Sequence, residues 1–325
     1  MRKQNNIVLT SFAFFLSLLG LIGPGFWKIN SPNPFKVKDL LITRSVININ
    51  PNSMKLDNKF SNQPMSSKKI FGKEIAIAWS NNFLVQLKKN NLIPKVFFTQ
   101  LPSDLSTYNV EQRKSIFISI MLPLLIEGNL KVQNDRDKIE SYFKWQKFNK
   151  ILFYCKKYKI KEDKCSFETK TDKEKKNILK NKILQKANKF PISMMLAQAI
   201  IESGWGTSRF AQEGNALFGQ WTWKKNEGIL PKNPSYSNFS VKSFRNLQDS
   251  VNSYILNLNT HRAYAKLRNY RKLMRNYNNF KGKKFSKYLD KYAEIGFRYV
   301  LKINKIIDEY NLESYNNIAF IQKTN

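Results

Sequence analysis

Between Phe190 and Gly206 the chain reads FPISMMLAQAIIESGWG, a stretch that leaves few choices to the fold. Pro191 suits a first helical turn, where its missing N–H costs no hydrogen bond. Ile192, Met195, Leu196 and Ala199 then recur at helical spacing and define a face that must be buried. Glu202 follows Ala199 by three positions and Met195 by seven, so it falls on the edge of that face. Gly204 and Gly206 stop the helix directly afterwards. The pattern predicts a core helix with a carboxylate at its C-terminal end, beside Trp205, on the margin of an apolar surface. The helix dipole at that end and partial desolvation both favour the protonated acid. A carboxylic acid that keeps its proton near neutrality can protonate a glycosidic oxygen. The competing reading of the same residues is a solvated, inert Glu at a frayed helix end.

Composition narrows the chemistry further. Among 325 residues there are one His and two Cys. A closed Cys/His zinc module cannot be assembled from that set, and a Ser-His-Asp or Cys-His mechanism would have to run through His261 alone. Carboxylates are the remaining candidates for acid–base work, with no cofactor and no metal expected. The 42% of hydrophobic residues suffice for a packed core, and the length suggests about two domains. Fifty-six Lys and Arg against 23 Asp and Glu leave a formal charge of +33. Such a surplus attracts anionic partners, although the abundance of Lys, Asn and Ile is also what an A/T-rich coding sequence produces. The charge is spread in short clusters such as 173–176 and 281–284, so a nucleic-acid arm is not expected.

Arg2 and Lys3 precede residues 4–27, which carry no charged side chain and are apolar from Ile7 to Ile22. This reads as a signal peptide or a retained signal anchor, and Pro24 with the lack of an A-x-A-like site favours retention. It implies export, with a periplasmic or cell-envelope location and a membrane contact through the N-terminus. In that setting Cys155 and Cys165 form a disulfide or remain two structural thiols. Residues 28–72, rich in Asn, Ser, Pro and Lys, read as a tether. Residues 73–175 are expected to form a helical N-terminal region and 176–325 a second globular domain. The charge-dense stretch 161–182 is the expected boundary. Apolar residues 116–126 are too short for a further membrane span and predict a buried core helix.

The text that follows the opening helix, Thr207 to Trp221, together with Ala197 to Gly206, closely resembles the signature of bacterial glucosaminidases with a lysozyme-like fold. Segments 110–124, 249–264 and 292–296 extend the likeness to the subgroup called Bax proteins, over roughly Pro94 to Leu312. The resemblance implies a mainly α, lysozyme-like domain with a small β-lobe or loop insertion, acting on the glycan strands of peptidoglycan. It assigns Glu202 as catalytic acid and places Asn215, Phe218 and Gly219 in the glycan cleft. Further contacts are expected from Gln198, Trp205, Trp221 and Trp223. Trp221 or Trp223 is the expected stacking platform, with Tyr236 as another aromatic candidate and Trp205 as a packing neighbour of Glu202.

A glycosidase normally uses a second carboxylate. The stretch 236–244, where family members often carry it, contains no acid. Glu213, Glu227 and Glu294 are the candidates. Glu294 ranks first because Tyr292-Ala293-Glu294 resembles a tyrosine-bearing cleft segment of the family, in which Tyr292 is the matching residue. The N-acetyl group of the substrate is the alternative. His261 is expected to cap or hydrogen-bond rather than to catalyse. Two further readings stay open: a lytic transglycosylase, and a non-catalytic protein that binds peptidoglycan.

Overall fold

The computed structural model describes residues 72–161, 165, 173–224, 227–231, 239–274 and 280–321. The expected signal segment, the tether and Tyr236 lie outside them. The described chain is mainly α, as expected: α1 Lys73–Asn90, α2 Val110–Lys144, α3 Phe148–Lys157, α4 Lys173–Lys186, α5 Ile192–Ser203, α6 Arg209–Gly214, α7 Leu247–Thr260, α8 Ala265–Met274, α9 Gly282–Ser286 and α10 Phe297–Glu309. Two short strands, β1 Leu92–Ile93 and β5 Ala319–Phe320, pair in parallel and tie the end of the described chain to its beginning.

The chain is organised around α5. Residues 192–200 are buried on every side of this helix, which is why its sequence is apolar almost all round. Helices α2, α9, α10 and the 3-10 helix Leu312–Asn317 enclose it. Each fully buried side chain such as Met195 or Leu196 contributes roughly 1.5–3 kcal/mol of burial energy. The first half of α2 supplies Ile116, Phe117, Ile120, Met121, Leu124 and Leu125 to the same core. Among the described residues α2 is the one helix long and apolar enough to cross a membrane, yet 78% of its apolar window is buried inside the protein. It is a core helix, as residues 116–126 suggest. Because α1 and α2 join α5, α7 and α10 in one cluster, the portions 73–175 and 176–325 share a core.

A second cluster lies under the far half of α2. Ile139 packs there with Ile151, Tyr154 and Cys155 of α3 and Leu179, Ile183 and Leu184 of α4. Cys155 and Cys165 are joined in a disulfide within this cluster. With a sequence separation of 10, the crosslink removes unfolded-state entropy worth about 2–3 kcal/mol. Cys165→Ser is therefore expected to lower the thermal midpoint by about 4–10 °C. A scan with and without reductant checks this, since the mutant should no longer respond to reductant.

The expected β-lobe is present as a small antiparallel sheet of β2 Trp221–Thr222, β3 Gly228–Ile229 and β4 Ser240–Lys242, in the order β2-β4-β3. Trp221 pairs with Val241, and Ile229 pairs with the same residue from the other side. Val241, Phe210 and Ala216 form its own small core. The lobe begins two residues after Gly219, so it is attached directly to the segment that faces Glu202.

Candidate active site

Glu202 occupies the last turn of α5. Ser203 beside it is fully buried, donates to the Ala199 carbonyl at 2.6 Å and accepts from the Gly206 N–H at 2.9 Å. That hydroxyl closes the turn in which Gly204, Trp205 and Gly206 all have positive φ, at 58°, 59° and 78°. A Cβ on Gly206 would stand 2.8 Å from Leu101 and 2.9 Å from Phe117, so only glycine suits both its backbone and its packing. Trp205 is turned into the core, edge-on to Phe117 at 6.0 Å and to Tyr310 at 4.9 Å. It packs near Glu202, and its placement does not suit the glycan contact also expected of it.

Glu202 as a residue is half-buried, and its carboxyl group is enclosed by the surrounding protein. Tyr299 of α10 donates to its Oε1 at 2.6 Å. Burial pushes the Glu202 pKa up to about 7, against the opposing pull of the Tyr299 hydrogen bond and of the Lys302 charge. Desolvation wins here because a charged carboxylate loses more solvation than one hydroxyl and one cation return. The other oxygen, Oε2, lies beside Gly219 and would be 3.1 Å from a Cβ placed there. Gly219 has φ +57°, so the left-handed backbone and the close approach of the carboxyl both favour glycine.

The segment carrying Gly219 is held from behind. The Tyr292 hydroxyl donates to the Phe218 carbonyl at 3.0 Å, and the Phe218 ring stacks on Tyr254 at 3.8 Å. Leu217 donates its N–H to Ser250 of α7 at 3.2 Å. Asn215 caps α6 with φ 52° and donates to the Phe244 carbonyl at 3.0 Å. Four tyrosines, Tyr254, Tyr264, Tyr292 and Tyr299, are buried in this region. Burial, then the neighbouring Glu202 charge or another tyrosine, keeps each of them protonated. Tyr292 and Tyr299 stack face to face, 5.3 Å apart.

Several expected roles change accordingly. Gln198 and Phe218, expected to touch glycan, are completely buried; they support the site from within. Tyr292, expected at the reacting centre, is 2% exposed and bonds the backbone of the Gly219 segment instead. Glu294 is exposed on the turn before α10, and the charge that acts on Glu202 is that of Lys302. Glu213 pairs with Arg209 and Glu227 with Lys224, the latter pair holding the Glu227 carboxyl below its ordinary range. Trp223 is 64% exposed and Trp221 stacks on Phe239 at 3.6 Å, which leaves these two as the expected aromatic candidates among the described residues of the lobe. His261 accepts the Ala263 N–H at 3.3 Å at the start of a 3-10 turn, the capping role expected of it.

Tyr299 is the residue that sequence reasoning missed. It belongs to the buried stripe Tyr299, Val300, Ile303 and Ile307 of α10. A tyrosine in an otherwise aliphatic stripe signals a hydroxyl that needs a buried partner, and this was the available clue.

The glucosaminidase family model, described as mannosyl-glycoprotein endo-beta-N-acetylglucosaminidase, matches residues 180–312. That range contains α5, the Gly219 segment, the β-lobe and α10. The protein named Protein bax of Escherichia coli (strain K12) is 29% identical over 164 residues, covering 50% of this chain and 57% of that relative. The chain thus matches little more than half the length of that relative. No solved structure matches it. Glu202, Gly219 and Tyr299 all lie inside the matched range, so residues 180–312 resemble a glucosaminidase-family domain and the chain is similar to a Bax protein of that kind.

Proposed function

We infer that this protein is an endo-β-N-acetylglucosaminidase-type hydrolase that cuts β-1,4 bonds of peptidoglycan, with Glu202 as general acid. The observation that carries this reading is a carboxyl group whose burial raises its pKa to about 7 beside an open glycine turn. Such an acid holds its proton at neutral pH and can pass it to the leaving glycosidic oxygen as the C–O bond breaks. The oxocarbenium-like sugar that develops then needs a stabilising group on its other face.

Among the described residues no carboxylate is hydrogen-bonded to Glu202. Glu213, Glu227 and Glu294 are all exposed. This supports the N-acetyl oxygen of the substrate as the group that attacks C1, after which water opens the resulting ring and leaves a reducing end. The same arrangement favours one further reading, in which a sugar hydroxyl replaces water, as in a lytic transglycosylase. Trp221 and Trp223 are the proposed stacking surface for the strand. An envelope location, and a membrane contact through residues 4–27, belong to this proposal. The surplus of positive charge fits both, since peptidoglycan carboxylates and anionic lipid attract it in a salt-sensitive way.

Mass spectrometry of sacculi digested with the protein tests the reading. Reducing N-acetylglucosamine ends released by the wild type and absent with Glu202→Gln are the expected result. Anhydro-muramyl ends select the transglycosylase. Binding to sacculi with no released fragment overturns the enzymatic assignment.

A further inference from the structure

Glu202 is approached from inside the protein by a row of three polar side chains on three different helices. Tyr254 of α7 donates to Gln198 Oε1 at 2.6 Å. Gln198, one turn before Glu202 on α5, donates from Nε2 to the Tyr299 hydroxyl at 3.2 Å. Tyr299 of α10 completes the row with its 2.6 Å bond to Glu202 Oε1. Gln198 and both tyrosines are completely buried, so water cannot substitute for any of these partners.

The direction of the row follows from the bond that Tyr299 donates to Glu202. A tyrosine hydroxyl has one proton. With the Tyr299 proton committed to the carboxylate, its oxygen requires a donor, which only the amide nitrogen of Gln198 can supply. The amide oxygen then faces Tyr254 and requires its proton. Every donor points towards Glu202, and reversing one would set two acceptors or two protons against each other in a buried place.

We propose that Gln198 and Tyr254 are positioning residues for the Glu202 acid, which through Tyr299 hold Oε1 as an acceptor and confine the transferable proton to Oε2. The inference rests on Glu202 being the general acid. Oε2 is the oxygen beside Gly219, so the row decides which oxygen is presented to the glycan. Without it the carboxyl is free to present either.

Other charged and titratable groups around α5 do not depend on Gln198. Lys302 lies on α10 with Tyr299, and Tyr264 and Tyr292 stay protonated beside Glu202. Lys114 of α2 sits over the Trp205 ring at 5.8 Å. Glu313 bonds Ser193 at the opposite end of α5, and Lys283 of α9 pairs with Asp308.

Gln198→Met keeps the volume of the side chain and removes both ends of the amide. On solubilised glycan strands it is expected to lower kcat about 10-fold with little change in KM. It should also move the alkaline limb of the pH profile upward by about half a unit, because Tyr299 becomes a weaker donor to the carboxylate. Tyr254→Phe keeps the ring stacked on Phe218 and removes only the outermost proton. It is expected to shift the limb in the same direction by less, and it carries the test if Gln198→Met does not fold. Tyr299→Phe should shift the limb by about one unit, and adding Gln198→Met to it should shift the limb no further. An unmoved limb in Gln198→Met and Tyr254→Phe, while Glu202→Gln is inactive, overturns the row and leaves the acid in place. Full activity of Glu202→Gln overturns the acid itself.

Discussion

Glu202→Gln is expected to lose about 10²–10⁴ of the rate on sacculi while becoming more stable than the wild type at alkaline pH. The two effects share one cause. Burial raises the Glu202 pKa from 4.5 to about 7, so between those values the folded protein binds a proton that the unfolded chain has released. Stability from this group therefore falls as pH rises from about 4.5 to about 7, and above 7 the folded state carries a buried negative charge. Glutamine keeps the acceptor for Tyr299 and never ionises. At pH 8 the substitution should add about 1–3 kcal/mol, the lower figure allowing for solvent screening of a residue that is only half-buried. At pH 4 the two proteins should melt alike. Calorimetry at both pH values, alongside the activity assay, separates this from general damage, which would lower the midpoint at every pH.

Arg271→Met is expected to destabilise the protein more than any surface substitution, by about 3–5 kcal/mol or about 10 °C in thermal midpoint. Arg271 is 1% exposed and its guanidinium donates to the carbonyls of Gln185, Lys186, Asn188 and Lys189. Arg136 of α2 reaches the Leu184 and Ala187 carbonyls of the same segment. The two cations satisfy the unpaired carbonyls at the end of α4 and complement its dipole. Arg271 also lies over the Phe190 ring at 4.1 Å, directly before α5 begins. Methionine fills the space but donates nothing: the Gln185 and Lys189 carbonyls lose the guanidinium as donor, while those of Lys186 and Asn188 keep bonds from the Asn188 N–H and from Asn259 Nδ2. Arg271→Lys, which keeps the charge but not the planar fork, should recover only part of the loss. A midpoint unchanged in Arg271→Met would mean that the α4 end does not depend on it.

How far the site was legible in the sequence depends on the distance between its parts. The α5 helix, its buried face, the glycine stop and the marginal position of Glu202 are all set within 17 consecutive residues, and local periodicity is enough to find them. The cap at His261 is local in the same sense, whereas the small lobe after Gly219 is expected from the family resemblance alone. Tyr299 lies 97 residues from Glu202 and Tyr254 lies 56 from Gln198. Their hydrogen bonds exist only because α10 packs on α5 and α7 packs on α2 beside it, and in the sequence each looks like an ordinary core aromatic. Gln198 lies in the segment that local reading finds, but its complete burial does not follow from it, since periodicity says which residues share a face and not how completely that face is covered. The resemblance of Tyr292-Ala293-Glu294 to a cleft segment of the family points to Glu294, yet the turn before α10 leaves that side chain exposed.

The central claim is that Glu202 donates the proton, and the pH dependence of kcat/KM on peptidoglycan strands measures it most directly. The raised pKa of about 7 predicts activity that is retained below neutrality and falls along an alkaline limb centred near pH 7, with the limb missing from whatever residual activity Glu202→Gln retains. A limb of the same position in Glu202→Gln, with the rate undiminished, would contradict the claim.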